Sequence, residues 1–173
     1  LPAADEWYKA AYHQPAIEGG DGDDYWAYAT ATNDLPGPAT ANAVGDIRNP
    51  GLNVANYASF AHWDGQIGNV TTVGSAGPLS RSFYGTSDQG GNVREWVEDI
   101  YPDAPVLARQ LRGGAWIDAW TYLQATDYIA TSPMAEAPDY GFRVATVEPV
   151  PEPGSLAIAS VGVVCVLFAI RRR

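Results

Sequence analysis

The sequence predicts an α+β, loop-rich domain with few regular elements, followed by a C-terminal transmembrane helix. Three observations support this prediction. The first residues have the spacing of one short amphipathic helix; glycine, proline and asparagine divide most of the chain into short extended runs; and an uncharged apolar run at 154–170 ends at three arginines. We therefore divide the chain into a domain at 1–148 and an anchor segment at 149–173.

Composition sets limits on the class of protein. The chain has 173 residues, and 46% are hydrophobic, with six Trp and ten Tyr, which is enough for one domain with its own core. Residues 1–148 hold 19 acidic and 7 basic side chains, so nucleic acid is not an expected partner. The single cysteine, Cys165, lies in the apolar tail, which excludes a disulfide framework or a cysteine-based zinc site within the chain.

The N-terminal residues predict a short helix that ends near Tyr12. Pro2 suits the first helical position, and Asp5 and Glu6 place negative charge in the first turn. Trp7 lies on the apolar face of this helix, so we expect it to anchor the helix to the core.

The following elements are predicted to be short. The run at 19–24 (GGDGDD) looks like a cation loop, but an EF-hand would need Glu where Thr32 stands, so we interpret it as a solvated turn. The aromatic run at 25–32 predicts a strand or extended segment. Two further strands are expected at 111–116, where a double glycine permits close backbone approach, and at 141–145.

The segment 82–96 (SFYGTSDQGGNVREW) allows two interpretations. Gly90 and Gly91 permit a turn that other residues disfavour, so the segment fits a tight turn before a strand. Such a turn also directs carbonyl groups inward, close to the carboxylate of Glu95. Calcium takes backbone oxygens together with one or two carboxylates, so the same segment fits a calcium site.

Several motifs in a fixed order carry a resemblance to a known family. They are LPAADEWYKAA at the start, ANY at 55–57, WDGQIGNVTTVGS at 63–75, FYGTSDQGGNVREWVED, LRGGAW and GFRVA. Together they resemble the C-terminal half of the formylglycine-generating enzyme family, also called the sulfatase-modifying-factor domain, over about residues 1–146. The resemblance implies the C-type-lectin-like version of an α+β fold, with loops held by two calcium ions.

The resemblance implies ligands for the first calcium ion. They are the side chains of Asn56 and Asp64 and the backbone carbonyls of Tyr57 and Gln66. The alternative is that Asn56 and Asp64 cap loops through hydrogen bonds from side chain to backbone, which is the commonest use of such residues.

The implied ligands of the second calcium ion are the carbonyls of Gly90, Gly91 and Val93 and the carboxylate of Glu95. Arg94 stands where the family usually has an aromatic or other bulky residue, and its charge would weaken cation binding nearby. A simpler expectation for Arg94 is a surface ion pair with Glu98, four residues on. Arg143 is predicted to be a buried or half-buried structural arginine.

The copper site of the family is not expected in this chain. The resembled enzymes oxidise a cysteine of a sulfatase to formylglycine with two cysteines, five residues apart, that bind copper(I) as soft thiolates. Asp118 and Leu123 stand at these positions. We therefore expect neither copper nor formylglycine-generating activity, and Asp118 looks like a lone carboxylate on a loop. No other catalytic motif is recognised in the sequence, so no catalytic residue is assigned.

Three functions stay open. The first is a non-catalytic surface or binding module, with an extracellular polysaccharide or protein as ligand. The second is an enzyme of altered activity in which Asp118, Tyr122 or Arg112 works in a cleft. The third is a structural component of an envelope or matrix. The aromatic residues that suit carbohydrate contact, or equally the core, are Trp26, Trp63, Trp116, Trp120, Tyr122 and Tyr128.

The C-terminal residues have a three-part composition. An uncharged run at 154–170, about 26 Å long as a helix, suits a membrane span and ends at basic residues. The order resembles the PEP-CTERM sorting signal of Gram-negative bacteria, which an exosortase reads. It implies export, anchoring through 154–170, cleavage near 151–153, and delivery to the cell surface or matrix. The residues that carry the resemblance are Val150, Pro151, Glu152, Pro153, Arg171, Arg172 and Arg173.

Overall fold

A computed structural model describes residues 1–101 and 107–145 of the chain. Its regular elements are α1 (Ala4–Tyr12), β1 (Gly37–Pro38), β2 (Val54–Ala55), β3 (Arg94–Tyr101), β4 (Ala108–Arg112), β5 (Ile129–Thr131) and β6 (Tyr140–Phe142), with short 3-10 turns at Ala16–Glu18, Pro78–Ser80 and Trp120–Leu123. This mixed architecture of small sheets and few helices confirms the predicted loop-rich class. The predicted anchor segment at 149–173 lies outside the described residues. Among the residues that the structure does describe, no helix is long and apolar enough to span a membrane.

The larger sheet brings together the three segments that the motifs emphasise. Its strand order is β5-β4-β3-β6, with β3 antiparallel to β4 and parallel to β6. Glu95 of β3 is opposite Arg112 on one side and Gly141 on the other. The segment before β3 consists of turns and bends. The prediction of a glycine turn leading into a strand is therefore confirmed.

The N-terminal helix and its end at Tyr12 are confirmed, but the helix begins at Ala4 with Ala3 as its N-cap, so Pro2 lies before the first helical position. Trp7 is 1% exposed and packs in the main core cluster with Tyr12 and Val97. The rings of Trp7 and Tyr12 meet edge to face, with centroids 5.9 Å apart. The Glu6 carboxylate accepts a hydrogen bond from the amide of Ala3, which satisfies one free donor at the start of the helix.

Three strand predictions need correction, and the strand expected at 141–145 is observed at Tyr140–Phe142. Residues 25–32 form no regular strand: Tyr25, Tyr28 and Thr32 make isolated β-bridges around a turn in which Ala31 has a left-handed φ of 55°. Of the three aromatic residues there, Tyr28 packs in the core, whereas Tyr25 is exposed and Trp26 is half-buried. The strand expected at 111–116 ends at Arg112, since Gly113 and Gly114 both have positive φ. The turn at 19–24 is confirmed.

Gly91 lies where two backbone segments meet, and we predict that Gly91→Ala is strongly destabilising. Its φ is +84°, and an added Cβ would stand 2.3 Å from the carbonyl oxygen of Asn56. Gly85 is a matched control, because its φ is +80° and an added Cβ would meet open space. Both alanine variants bear the left-handed strain, so urea unfolding should show Gly91→Ala less stable than Gly85→Ala by about 2 kcal/mol. Equal stabilities would contradict the close approach.

Candidate functional site

The carboxylate of Glu95 lies at the centre of a buried polar cluster. Glu95 is 5% exposed. Its Oε2 accepts hydrogen bonds from Trp7 Nε1 and Arg143 Nε, both at 2.6 Å, and its Oε1 accepts one from the Arg143 guanidinium, also at 2.6 Å. Arg143 also donates to the carbonyl of Ser87. The prediction that Arg143 is a structural arginine is therefore confirmed.

These contacts bear on the second predicted calcium site. The Arg143 guanidinium places a positive charge directly against the carboxylate that the ion would need. That arrangement does not fit a cation on the Glu95 oxygens, because like charges repel strongly where water is excluded. The carbonyls of Gly90, Gly91 and Val93 lie in the irregular segment just before β3. Calcium binding by this set stays a prediction.

Asn56 fits the first predicted site better. Its Nδ2 donates to the carbonyl of Asn69 at 2.9 Å and to Asn92 Oδ1 at 3.2 Å. Because a carbonyl oxygen only accepts hydrogen bonds, the atom of Asn56 that contacts Asn69 must be the amide nitrogen, and the other atom is the amide oxygen. Asn56 Oδ1 is then buried and has no hydrogen-bond partner among the described residues. A buried, unpaired amide oxygen suits a hard cation.

The other proposed ligands of that site lie in different surroundings. Tyr57 is buried, and its hydroxyl donates to the carbonyl of Pro36 at 2.6 Å. Asp64 and Gln66 are exposed, on a turn in which the Gln66 amide donates to the carbonyl of Trp63. Within residues 1–101 and 107–145, no group of three or more His, Cys, Asp and Glu side chains is placed to hold a metal ion. Coordination by Asn56, Asp64 and two carbonyls stays a prediction.

Asp118 belongs to a three-residue charge cluster. It forms an ion pair with Arg94, whose guanidinium also contacts Asp139 at 3.2 Å. Its second oxygen accepts the amide of Ala115 at 2.8 Å. Burial raises the pKa of Asp118, although the Arg94 charge acts in the opposite direction. The expectation of a lone carboxylate is therefore wrong.

The prediction of an ion pair between Arg94 and Glu98 is also wrong. Both residues belong to β3, and positions four apart on a strand are separated by about 13 Å. Arg94 is turned instead towards the loop after β4, where its guanidinium lies 5.4 Å from the ring centroid of Tyr122.

Leu123, at the second cysteine position, is part of the hydrophobic core. It is 0% exposed and packs with Tyr28, Ala55 and Tyr57. One position therefore holds a carboxylate engaged by Arg94, and the other holds a buried hydrocarbon. Neither side chain supplies the thiolate that copper(I) prefers, so these residues do not fit that ion.

Comparison with protein families places this site in context. Residues 1–147 match the family described as "Sulfatase-modifying factor enzyme 1-like domain". The chain belongs to this family. Residues 149–173 match the PEP-CTERM protein-sorting motif, which implies export, membrane association and processing by an exosortase. The sulfatase-modifying-factor domain and the sorting motif therefore occur in the order that the sequence predicted.

Solved structures similar to the sulfatase-modifying-factor domain include those titled "Crystal Structure of CarF" and "Treponema denticola variable protein 1". Each is 24% identical over 82% of this chain and 45% of its own, with TM-scores of 0.52 and 0.46 respectively. The CarF similarity supports the fold alone. The present chain thus spans less than half the length of these structures. A search of curated proteins found no match.

The cluster of Arg94, Asp118 and Asp139 was not predicted as a unit. The sequence marks Arg94 and Asp118 as two separate departures from the family pattern. Their opposite charges were the available signal, because two unusual residues of opposite sign are candidates for one ion pair. Asp139 offered no such signal in the sequence.

Proposed function

We propose that this sulfatase-modifying-factor domain is an exported, surface-associated binding module without oxidase chemistry, stabilised by calcium. One observation carries the proposal: the two positions that bind copper in the resembled enzymes have other structural uses here. Asp118 pairs with Arg94, and Leu123 fills the core. The C-type-lectin-like arrangement of the fold belongs to this proposal and would present ligand-binding loops on a rigid sheet.

The alternative of an altered enzyme is less well supported. The residues considered for catalysis were Asp118, Tyr122 and Arg112. Both oxygens of Asp118 accept hydrogen bonds, and the Arg112 guanidinium lies 5.5 Å and 5.4 Å from the ring centroids of Tyr8 and Tyr128. These contacts suit structural roles. A structural part in an envelope or matrix is compatible with the sorting motif but has no further support.

A copper(I) titration tests the central part of the proposal. The chain should take up no stoichiometric copper(I) in competition with bicinchoninate, because a two-thiolate site is missing. The Cys165→Ser variant controls for the single thiol of the tail and should behave in the same way. One equivalent of copper(I) bound by that variant would contradict the proposal.

Calcium binding has its own test, in which melting temperature is measured as calcium is raised to millimolar levels. An ion that binds only the folded chain raises the melting temperature. We expect an increase of several degrees that Asp64→Ala removes, since Asp64 is the only carboxylate proposed for the Asn56 site. The exposed Asp5→Ala variant is the control and should keep the increase. An unchanged melting temperature in the wild type would exclude the ion.

For localisation, we infer that the chain is held in the membrane through 154–170, cut near 151–153, and released to the cell surface or matrix. The sorting motif supports this sequence of events. An extracellular polysaccharide or protein is then the natural class of ligand.

A further inference from the structure

Two nearly parallel aromatic rings lie where α1 ends, and we call the paired side chains of His13 and Tyr84 the ledge. His13 Nδ1 lies 2.7 Å from the Tyr84 hydroxyl oxygen. The ring centroids are 5.9 Å apart, and the ring planes differ by only 10°. The hydrogen bond joins the edges of the two rings, so the rings overlap little and lie in nearly parallel planes.

The backbone that carries Tyr84 is held by a turn and by a contact with α1. Tyr84 belongs to a tight turn in which the amide of Gly85 donates to the carbonyl of Ser82 at 2.9 Å. The Thr86 hydroxyl contacts Gln89 Oε1 and also lies 3.3 Å from the carbonyl oxygen of Ala10, which places this turn against α1. The hydrogen bond between His13 and Tyr84 joins the two rings without a ligand, so less side-chain ordering opposes binding.

Exposed aromatic and charged groups surround the ledge. The Tyr25 ring meets His13 at 5.1 Å and 64°, and the Phe83 ring meets Tyr84 at 5.2 Å and 78°. Tyr84 itself is 47% exposed. A pocket of about 250 Å³ adjoins Tyr84 and is also lined by Glu6, Lys9 and Ala10. Aromatic rings thus lie beside a mainly apolar pocket, and the residues that line it include one carboxylate and one ammonium side chain.

This combination matches the chemistry of a sugar ring. A pyranose has a face of C–H groups, which packs on aromatic rings, and a rim of hydroxyls, each of which both donates and accepts. Glu6 can accept from such hydroxyls and Lys9 can donate to them. The net charge of −10 disfavours an anionic sugar or a nucleotide.

We propose that the ledge of His13 and Tyr84, with Glu6 and Lys9 beside it, binds one neutral hexopyranose unit of a polysaccharide. The proposal rests on the proposed function, since it gives the binding module a ligand class and a location. It is independent of the Arg94 cluster and of both predicted calcium sites, none of whose ligands lines this pocket.

Titration calorimetry and saturation-transfer NMR on the 173-residue chain test the proposal. Hexasaccharides of β-1,4-linked glucose, mannose and N-acetylglucosamine serve as probes, in a phosphocholine detergent that carries no sugar. At least one probe should bind. Tyr84→Ala should weaken its binding at least about tenfold. Tyr84→Phe keeps the ring and should weaken it much less. Lys9→Met, on the exposed face of α1, should weaken it about threefold through one lost hydrogen bond.

The matched control is Phe142→Ala, which removes a ring that is 69% exposed on β6. It should leave sugar binding unchanged. Unchanged binding in both Tyr84→Ala and Lys9→Met would overturn this site, and an equal loss in Phe142→Ala would do the same. No binding of any probe by the wild type would overturn the sugar ligand. The copper(I) titration separately decides whether oxidase chemistry is absent, so the two failures are distinguishable.

Discussion

Replacing Glu95 by Gln should lower the free energy of unfolding by about 3 kcal/mol. Glu95 is buried, and the change would leave the Arg143 guanidinium, whose side chain is 26% exposed, without its charged partner. Glutamine keeps an oxygen that can accept the hydrogen bond from Trp7 Nε1. The loss of stability should therefore report the missing charge more than a change in packing. In a chain of this size the melting temperature should fall by about 6–12 °C.

The control for this variant is Glu98→Gln on the same strand. Glu98 is exposed and its side chain has no ion pair among the described residues, so stability should change by less than about 0.5 kcal/mol. Thermal unfolding should be run with calcium and with a chelator. If Glu95→Gln loses stability only when calcium is present, the carboxylate is a metal ligand and the ion-pair interpretation is wrong.

Leu123→Ala should cost about 3–4 kcal/mol, because it removes a fully buried side chain and leaves a cavity among rings that cannot close around it. The packing of Leu123 against Tyr28 and Tyr57 makes this expectation specific. Urea unfolding would measure the loss. Truncating a side chain that lines an open enzyme cleft would cost much less stability than truncating a side chain in the core.

Leu52→Ala is the matched control, since Leu52 is largely exposed and should lose less than about 0.5 kcal/mol. Similar small losses in both variants would mean that Leu123 is accessible, and the argument that the second cysteine position has joined the core would fail.

The sequence motifs predicted the main elements that pack in the core. The helix ending at Tyr12, the burial of Trp7 and the strand that begins near Glu95 could all be predicted, because helical periodicity and glycine turns are local signals. Residues 25–32 show the limit of such signals. Tyr28 packs in the core from this irregular segment, and only the three-dimensional arrangement distinguishes that use from a strand.

The candidate site was less predictable for a different reason. The cluster of Arg94, Asp118 and Asp139 joins residues up to 45 positions apart, and the contact of His13 with Tyr84 spans 71. Such pairings depend on how the segment before β3 folds over α1, which no local pattern specifies. The unpaired oxygen of Asn56 likewise follows from the orientation of its amide within the fold.

The most direct measurement is an oxidation assay with the purified chain, copper(I), oxygen and a peptide that carries the cysteine motif of a sulfatase. Mass spectrometry would follow the peptide, with an aldehyde-specific reagent to detect formylglycine. Since Asp118 and Leu123 replace both thiolates, the peptide should keep its thiol, and no aldehyde should form above a control without protein. Aldehyde formed in proportion to the added chain, and persisting in Cys165→Ser, would contradict a sulfatase-modifying-factor domain without oxidase chemistry.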